Sequence, residues 1–121
     1  MNCIEDQSLC VGLKKEYQEK EVTNMPTYLS LINYTQQGAA NIKAGPERLD
    51  MAREAARTLG AEIKEWYLTM GRYDAVAVIE APNDEVVAYL LLAIGSAGNI
   101  QTETFRAFEE EAYRKLIANV P

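Results

Sequence analysis

Apolar residues recur along the chain at spacings typical of strands and helices. Residues 28–34 are rich in Tyr, Leu and Ile and predict a first strand. Small and apolar residues then recur at helical spacings over 46–59, which predicts a helix. Pro46 suits its first position, where a missing N–H costs nothing, and Gly60 suits a left-handed cap just past its end.

A hairpin follows this helix. Residues 62–70 and 73–80 have the composition of strands, and only Gly71 and Arg72 separate them. So short a connection predicts a tight antiparallel turn, in which Gly71 adopts a positive φ. The second of these strands is apolar on both faces, which places it in the centre of its sheet.

The chain ends with a helix, a strand and another helix. Residues 84–94 predict a helix that is apolar nearly all round, with Asn83 as its N-terminal cap. A strand with polar residues on both faces follows over 99–105. The last helix spans 109–119, and its apolar residues predict a buried side formed by Ala112, Tyr113, Leu116 and Ile117.

The order of these elements indicates a fold class. Strand, helix, strand, strand, helix, strand is the split βαβ, or ferredoxin-like, arrangement, here followed by a C-terminal helix. We therefore expect an α+β domain with a four-stranded antiparallel sheet. In that sheet the third strand pairs with the first, and the fourth strand flanks the first on its other side.

The first 24 residues differ from the remainder of the chain. They are charged and lack a strong apolar face. Lys20-Glu21-Val22 can be encoded by AAG-GAG-GTN, which matches a bacterial ribosome-binding sequence at a normal distance before Met25. We therefore predict that Met25 is the natural start, that residues 1–24 are a leader or N-terminal extension outside the fold, and that the domain spans 25–121.

Composition excludes several functions. Hydrophobic residues make up 48% and charged residues 25%, as in globular proteins. A net charge of −6 argues against nucleic-acid binding. The absence of His removes Ser-His-Asp and Cys-His catalysis and His-ligated zinc, and Cys3 and Cys10 alone make no zinc site. We find no signal peptide and no apolar run long enough to cross a membrane, so we expect a cytoplasmic protein. We also expect no metal or other cofactor.

Gly71, Tyr73 and Asp74 form a Gly-x-Tyr-Asp element within the segment 66–74, and the segments 46–50, 80–84 and 98–108 accompany it in a fixed order. Together these segments resemble the GYD domain family, which takes its name from that element. The resemblance extends from Met25 to about Glu111.

The resemblance implies a ferredoxin-like fold of the dimeric α/β-barrel type, in which the sheets of two subunits pair. It implies no reaction, because the family is functionally uncharacterised. Relatives by fold include cofactor-free monooxygenases, small-molecule isomerases and ligand-sensing regulatory domains. These are fold analogies, and fold alone is weak support for a function.

Asp74 is the candidate catalytic residue, because a carboxylate at the start of an apolar central strand is costly unless it is paired or wet. It either faces a pocket as acid, base or acceptor, or it accepts turn N–H groups or pairs with Arg72 or Arg106. The candidate ligand-binding residues, expected in one cavity between the open sheet face and a partner subunit, are Tyr34, Tyr67, Tyr73, Asp74, Thr102, Thr104 and Arg106.

Other residues have simpler interpretations. Trp66 favours a core or interface position, and Arg48, Arg53 and Arg57 favour a solvated helix face. Apolar residues on both faces of the first and third strands predict a homo-oligomer, most simply a two-fold dimer.

Three functions remain open. The first is a pocket without a metal that binds a small metabolite, aromatic or not, with or without cofactor-free chemistry. The second is a non-enzymatic oligomeric module that senses or scaffolds. The third is a metal-dependent enzyme that uses carboxylates alone.

Overall fold

The computed structural model describes residues 25–121, so the predicted leader lies outside the described residues. We label the elements in chain order. They are β1 (Thr27–Tyr34), α1 (Gln36–Ala40), a 3-10 turn (Ile42–Ala44), α2 (Gly45–Thr58), β2 (Glu62–Leu68), β3 (Ala75–Glu80), α3 (Asp84–Gly95), β4 (Ile100–Ala107) and α4 (Glu110–Ala118).

The strands form one antiparallel sheet in the order β2-β3-β1-β4. β3 and β1 are therefore the central strands, and the predicted pairings of β1 with β3 and with β4 are confirmed. This is the ferredoxin-like α+β fold, with α4 appended.

Local sequence signals act as expected at the helix ends. The Asn83 side chain accepts a hydrogen bond from Val86 N at 2.9 Å and caps α3. Pro46 lies in the first turn of α2, and Gly60 has a φ of 83° just beyond its end. These ends fix where each helix begins and returns to the sheet.

The β2–β3 connection is longer than the predicted two-residue turn. Thr69 N donates to Asp74 O at 2.9 Å, and Thr69 Oγ1 donates to Tyr73 O at 2.7 Å. The Asp74 N–H instead donates a hydrogen bond to Ile32 O on β1, at 2.8 Å. The ladder between the hairpin strands therefore stops at Leu68, while Gly71 keeps the expected positive φ of 116°.

One face of the sheet, here called the helix face, carries the core. Alternate residues of β1 and β3 point to this face and are buried, and α2 and α3 pack over it. Ala56 of α2 and Leu90 of α3 are fully buried against it. Its buried sheet residues are Tyr28, Ser30, Ile32, Ile63, Ala75, Ala77 and Ile79.

The opposite side, here called the open face, is apolar in its centre. Leu29 pairs with Val78 on one side and with Phe105 on the other, and the three side chains form a row across it. Phe105 is 44% exposed. An apolar sheet face of this kind marks an interaction surface.

The predicted buried side of the last helix is wrong for the single chain. Tyr113, Leu116 and Ile117 of α4 are each more than half exposed, and Ala112 is half-buried. The helix is amphipathic as its spacing predicts, but none of its residues is buried. Its apolar side is therefore a second exposed apolar surface.

Among residues 25–121, no helix combines the length and apolar character that crossing a membrane requires.

Candidate functional site

A cavity of about 470 Å³ lies between the helix face of the sheet and helices α2 and α3. This volume falls in the range of about 300–1,000 Å³ that is usual for small-molecule sites. Most of its wall is aliphatic or aromatic. Its lining residues are Ser30, Ile32, Tyr34, Gly45, Arg48, Leu49, Met51, Ala52, Ala55, Ile63, Trp66, Ala77, Ile79, Leu91, Ala93, Ile94, Ala97, Asn99, Ile100 and Thr102.

Small side chains on facing elements keep this space open. Ala52 and Ala55 of α2 lie over the cavity, and Ser30 and Ala77 of the central strands lie beneath it. The cavity is partly open to solvent. Concave, mostly apolar spaces of this size are where small ligands usually bind, so a ligand can fill it.

The floor of the cavity contains a buried polar contact. Ser30 is 1% exposed, and its hydroxyl accepts a hydrogen bond from Thr104 Oγ1 at 2.8 Å. The pair joins β1 to β4 through side chains as well as through the ladder. Because the Ser30 hydroxyl is also a donor, it can give a hydrogen bond to a ligand above it.

Trp66, on the edge strand β2, forms part of the cavity wall. It pairs with Ala77 of β3, and its indole packs against the core while remaining half-buried. It is the chain's single tryptophan. We therefore expect its fluorescence to respond to a ligand in the cavity.

Arg48 also lines the cavity, which the interpretation of a solvated helix face missed. Its guanidinium donates to Asn41 O at 2.9 Å and to Gly38 O at 3.4 Å. Arg53 likewise donates to a backbone carbonyl, that of Ile63, at 2.6 Å. These contacts depend on the fold, and helical spacing alone gave no signal for them. Arg57 is an exposed ion-pair residue as predicted, bonded to Glu54 at 2.8 Å.

The candidate ligand-binding residues divide between the two faces of the sheet. Tyr34 and Thr102 line the cavity. Thr104 and Arg106 point to the same face, since they pair with Ser30 and Tyr28. Thr104 reaches the cavity only through Ser30, and Arg106 lies outside the lining, where its guanidinium stacks 4.7 Å from the centre of the Phe108 ring.

Tyr67 and Tyr73 lie on the open face. Tyr67 pairs with Val76, is 54% exposed and hydrogen-bonds Glu65, whose carboxylate raises the pKa of the Tyr67 hydroxyl. Tyr73 donates to Glu103 at 2.9 Å, and this hydrogen bond raises the pKa of Tyr73. The expected convergence of all the candidates on one cavity is therefore not found, because residues on opposite sides of a strand cannot share one.

Asp74 holds the end of β1 rather than lining the cavity. Its carboxylate accepts a hydrogen bond from Tyr34 N at 2.9 Å, beyond the last bond of the β1–β3 ladder. Its own N–H donates to Ile32 O. A backbone N–H therefore satisfies the Asp74 carboxylate, which agrees with a structural role for this residue. The donor belongs to β1, however, and not to the turn or to an arginine.

A second polar cluster lies at the opposite end of the helix face. The buried Tyr28 hydroxyl donates to the Asp84 carboxylate in the first turn of α3. Burial, together with this hydrogen bond, raises the pKa of Tyr28 to about 12. Because Tyr28 belongs to β1 and Asp84 to α3, this hydrogen bond joins the helix to the sheet. Neither residue lines the cavity.

Among residues 25–121, no three carboxylates or thiols are grouped closely enough to hold a metal ion.

Comparison with known proteins identifies relatives at two levels. The family profile described as "GYD domain" matches residues 28–117. A curated protein of Thermus thermophilus, named "Glutamine synthetase and cystathionine beta-lyase binding protein", is 34% identical over 84 residues, which cover 69% of this chain and 88% of that protein.

A solved structure provides a likeness of fold alone. It is a feast or famine regulatory protein of M. tuberculosis complexed with L-methionine, with a TM-score of 0.57 and 15% identity. The match covers 75% of this chain and 55% of the regulator, so the chain spans about half of that protein's length.

Proposed function

This chain belongs to the GYD domain family, and we propose that it binds a small metabolite with an aromatic body in the cavity between its sheet and helices α2 and α3. The observation that carries the proposal is the cavity itself, about 470 Å³ in volume with largely apolar walls. It lies on the helix face, whereas the sequence predicts a site on the open face.

The lining suggests how such a ligand is held. Trp66, Ile63 and Ile79 offer an apolar wall on which an aromatic ring can stack or pack. Tyr34 and Thr102 offer hydroxyls, and Thr104 orients the Ser30 hydroxyl from behind. A few polar groups in a mostly apolar cavity fix the orientation of a ligand without supplying most of its affinity.

Titration with 3-phenylpropanoate and with its neutral amide tests this proposal through Trp66 fluorescence. At least one of the two compounds is expected to change the emission saturably, because the indole forms part of the wall. The Ala52→Phe substitution fills the space opposite the sheet and is expected to weaken that binding by at least about tenfold. Ala88→Phe, on the exposed side of α3, is the matched control and retains affinity. Equal binding by wild type and Ala52→Phe would place the ligand elsewhere.

We also propose that the chain forms a two-fold dimer through the open face. The row of Leu29, Val78 and Phe105 leaves apolar area that a second sheet would cover. Tyr67 and Tyr73, on the same face, would then lie at the subunit interface.

A second candidate function is a protein-binding module that docks on a metabolic enzyme. The name of the T. thermophilus relative and the exposed apolar side of α4 both favour it. Purified glutamine synthetase or cystathionine β-lyase is then expected to bind this chain in light scattering, and Leu116→Glu to weaken that complex at least tenfold by placing a charge on the apolar side of α4. Leu92→Glu, on the exposed side of α3, is the control. Absence of a complex with either enzyme counts against this candidate.

A further inference from the structure

Arg48 gives the cavity a charge, and its geometry points to the ligand's chemical class. We propose that the ligand is an anion, a carboxylate attached to an apolar body, and that Arg48 binds its carboxylate. This inference rests on the proposed function of the cavity and specifies it further.

The charge of the cavity lining comes from Arg48. Among the described residues that line the cavity, Arg48 is the single charged side chain, and none is Asp or Glu. Its positive charge attracts an anion in the cavity. A cationic ligand would meet this charge without any carboxylate in the lining to offset it.

The Arg48 guanidinium keeps N–H donors that can bind a ligand. A guanidinium has five N–H groups in a planar fork. Two of them donate to the carbonyls of Gly38 and Asn41, and no other described side-chain hydrogen bond uses the remaining three. Bidentate binding of a carboxylate needs a pair of such parallel donors.

Two backbone carbonyls restrict the position of the Arg48 guanidinium. The two carbonyls belong to α1 and to the residue that follows it, and they hold the guanidinium in place before any ligand arrives. Ordering a long, flexible side chain ordinarily costs roughly 0.5–1.5 kcal/mol on binding. The two hydrogen bonds already restrict the Arg48 side chain, so ordering it offsets less of the favourable charge interaction with the ligand.

The two ends of the cavity differ in polarity. Arg48 lies near the start of α2, at the end of the sheet where Tyr34 pairs with Ile100. Ile63 and Ile79 pair with each other at the opposite end. The cavity therefore has a polar end and an apolar end, which matches a molecule with a carboxylate on one side and a hydrocarbon or aromatic body on the other.

Three probes with the same phenylpropyl skeleton and a negative, a neutral or a positive head group test the inference. They are 3-phenylpropanoate, 3-phenylpropanamide and 3-phenylpropylamine, titrated against the wild-type chain with Trp66 fluorescence as the readout. We expect the carboxylate to bind at least about tenfold more tightly than the amide, and the amine to bind more weakly than both. Added salt is expected to reduce the carboxylate's advantage.

Variants of Arg48 identify the group responsible. Arg48→Gln is expected to bring the carboxylate and the amide to nearly equal affinity, and Arg48→Lys to preserve part of the difference because the charge remains. Arg57→Gln, which removes an exposed arginine of the same helix, is the matched control and retains the full difference.

The outcomes separate this inference from the proposed function. Equal affinity of wild type for carboxylate and amide would overturn the anion assignment while leaving ligand binding in the cavity standing. No binding of any of the three probes would overturn both. A carboxylate preference that persists unchanged in Arg48→Gln would overturn the role of Arg48.

Discussion

Gly38→Ala is expected to lower the free energy of unfolding by about 3 kcal/mol, at the upper end of typical overpacking costs. A Cβ at this position would lie 2.0 Å from the backbone carbonyl oxygen of Asn99. That carbonyl cannot move away freely, because it also accepts the Thr35 N–H at 3.0 Å. Alanine favours a helix over glycine by about 1 kcal/mol, so the steric term decides the sign.

The measurement is denaturant unfolding followed by circular dichroism, with Gly95→Ala as the control. A Cβ on Gly95 meets nothing within 4 Å, and the residue lies in the last turn of α3. This control is expected to be neutral or to stabilise the chain by roughly 0.4–1 kcal/mol. If Gly38→Ala proves as stable as Gly95→Ala, the close approach of α1 to the turn at Asn99 is incorrect.

Leu29→Lys is expected to convert a dimer into a monomer at micromolar concentration. Leu29 lies at the centre of the open face, between Val78 and Phe105. Burying an unpaired ammonium there costs several kcal/mol, and about 3 kcal/mol already corresponds to a more than hundredfold weaker association. The measurement is size-exclusion chromatography with light scattering.

The control for this prediction is Leu92→Lys. Leu92 is 72% exposed on α3, away from the sheet, so its replacement adds the same charge without touching the open face. A wild-type monomer, or a Leu29→Lys dimer as tight as wild type, would exclude the open face as the interface.

Much of the fold was predictable because local rules and burial agree in it. Alternating residues in β1 and β3, the Asn83 cap and the glycine after α2 each specify their own element. The length of the hairpin loop was not predictable in the same way. It depends on the hydrogen bond from Asp74 N to Ile32 O, which joins residues far apart in the chain.

The exposure of α4 could not be predicted from periodicity either. A helical spacing of Tyr113, Leu116 and Ile117 indicates an apolar side, but it does not say what covers that side. Within the described part of the chain, residues 25–121, nothing buries it.

The candidate site was harder to predict than the fold for a geometric reason. The cavity is a gap between elements, kept open by small residues such as Ser30, Ala52 and Ala77, which lie on separate elements. Each resembles an ordinary core residue in the sequence. The position of Arg48 likewise depends on carbonyls of α1, whereas the expected pairing of the first and fourth strands is enough to bring Tyr34 and Thr102 close together.

The most direct test of ligand binding in this cavity is a titration of the ¹⁵N-labelled chain with 3-phenylpropanoate, followed by two-dimensional amide NMR. Ligand binding in the cavity is expected to shift the signals of Ser30, Ile63 and the Trp66 indole N–H saturably, while those of Leu29 and Val78 on the open face stay unchanged. Shifts confined to the open face, or no shifts at all, would contradict it.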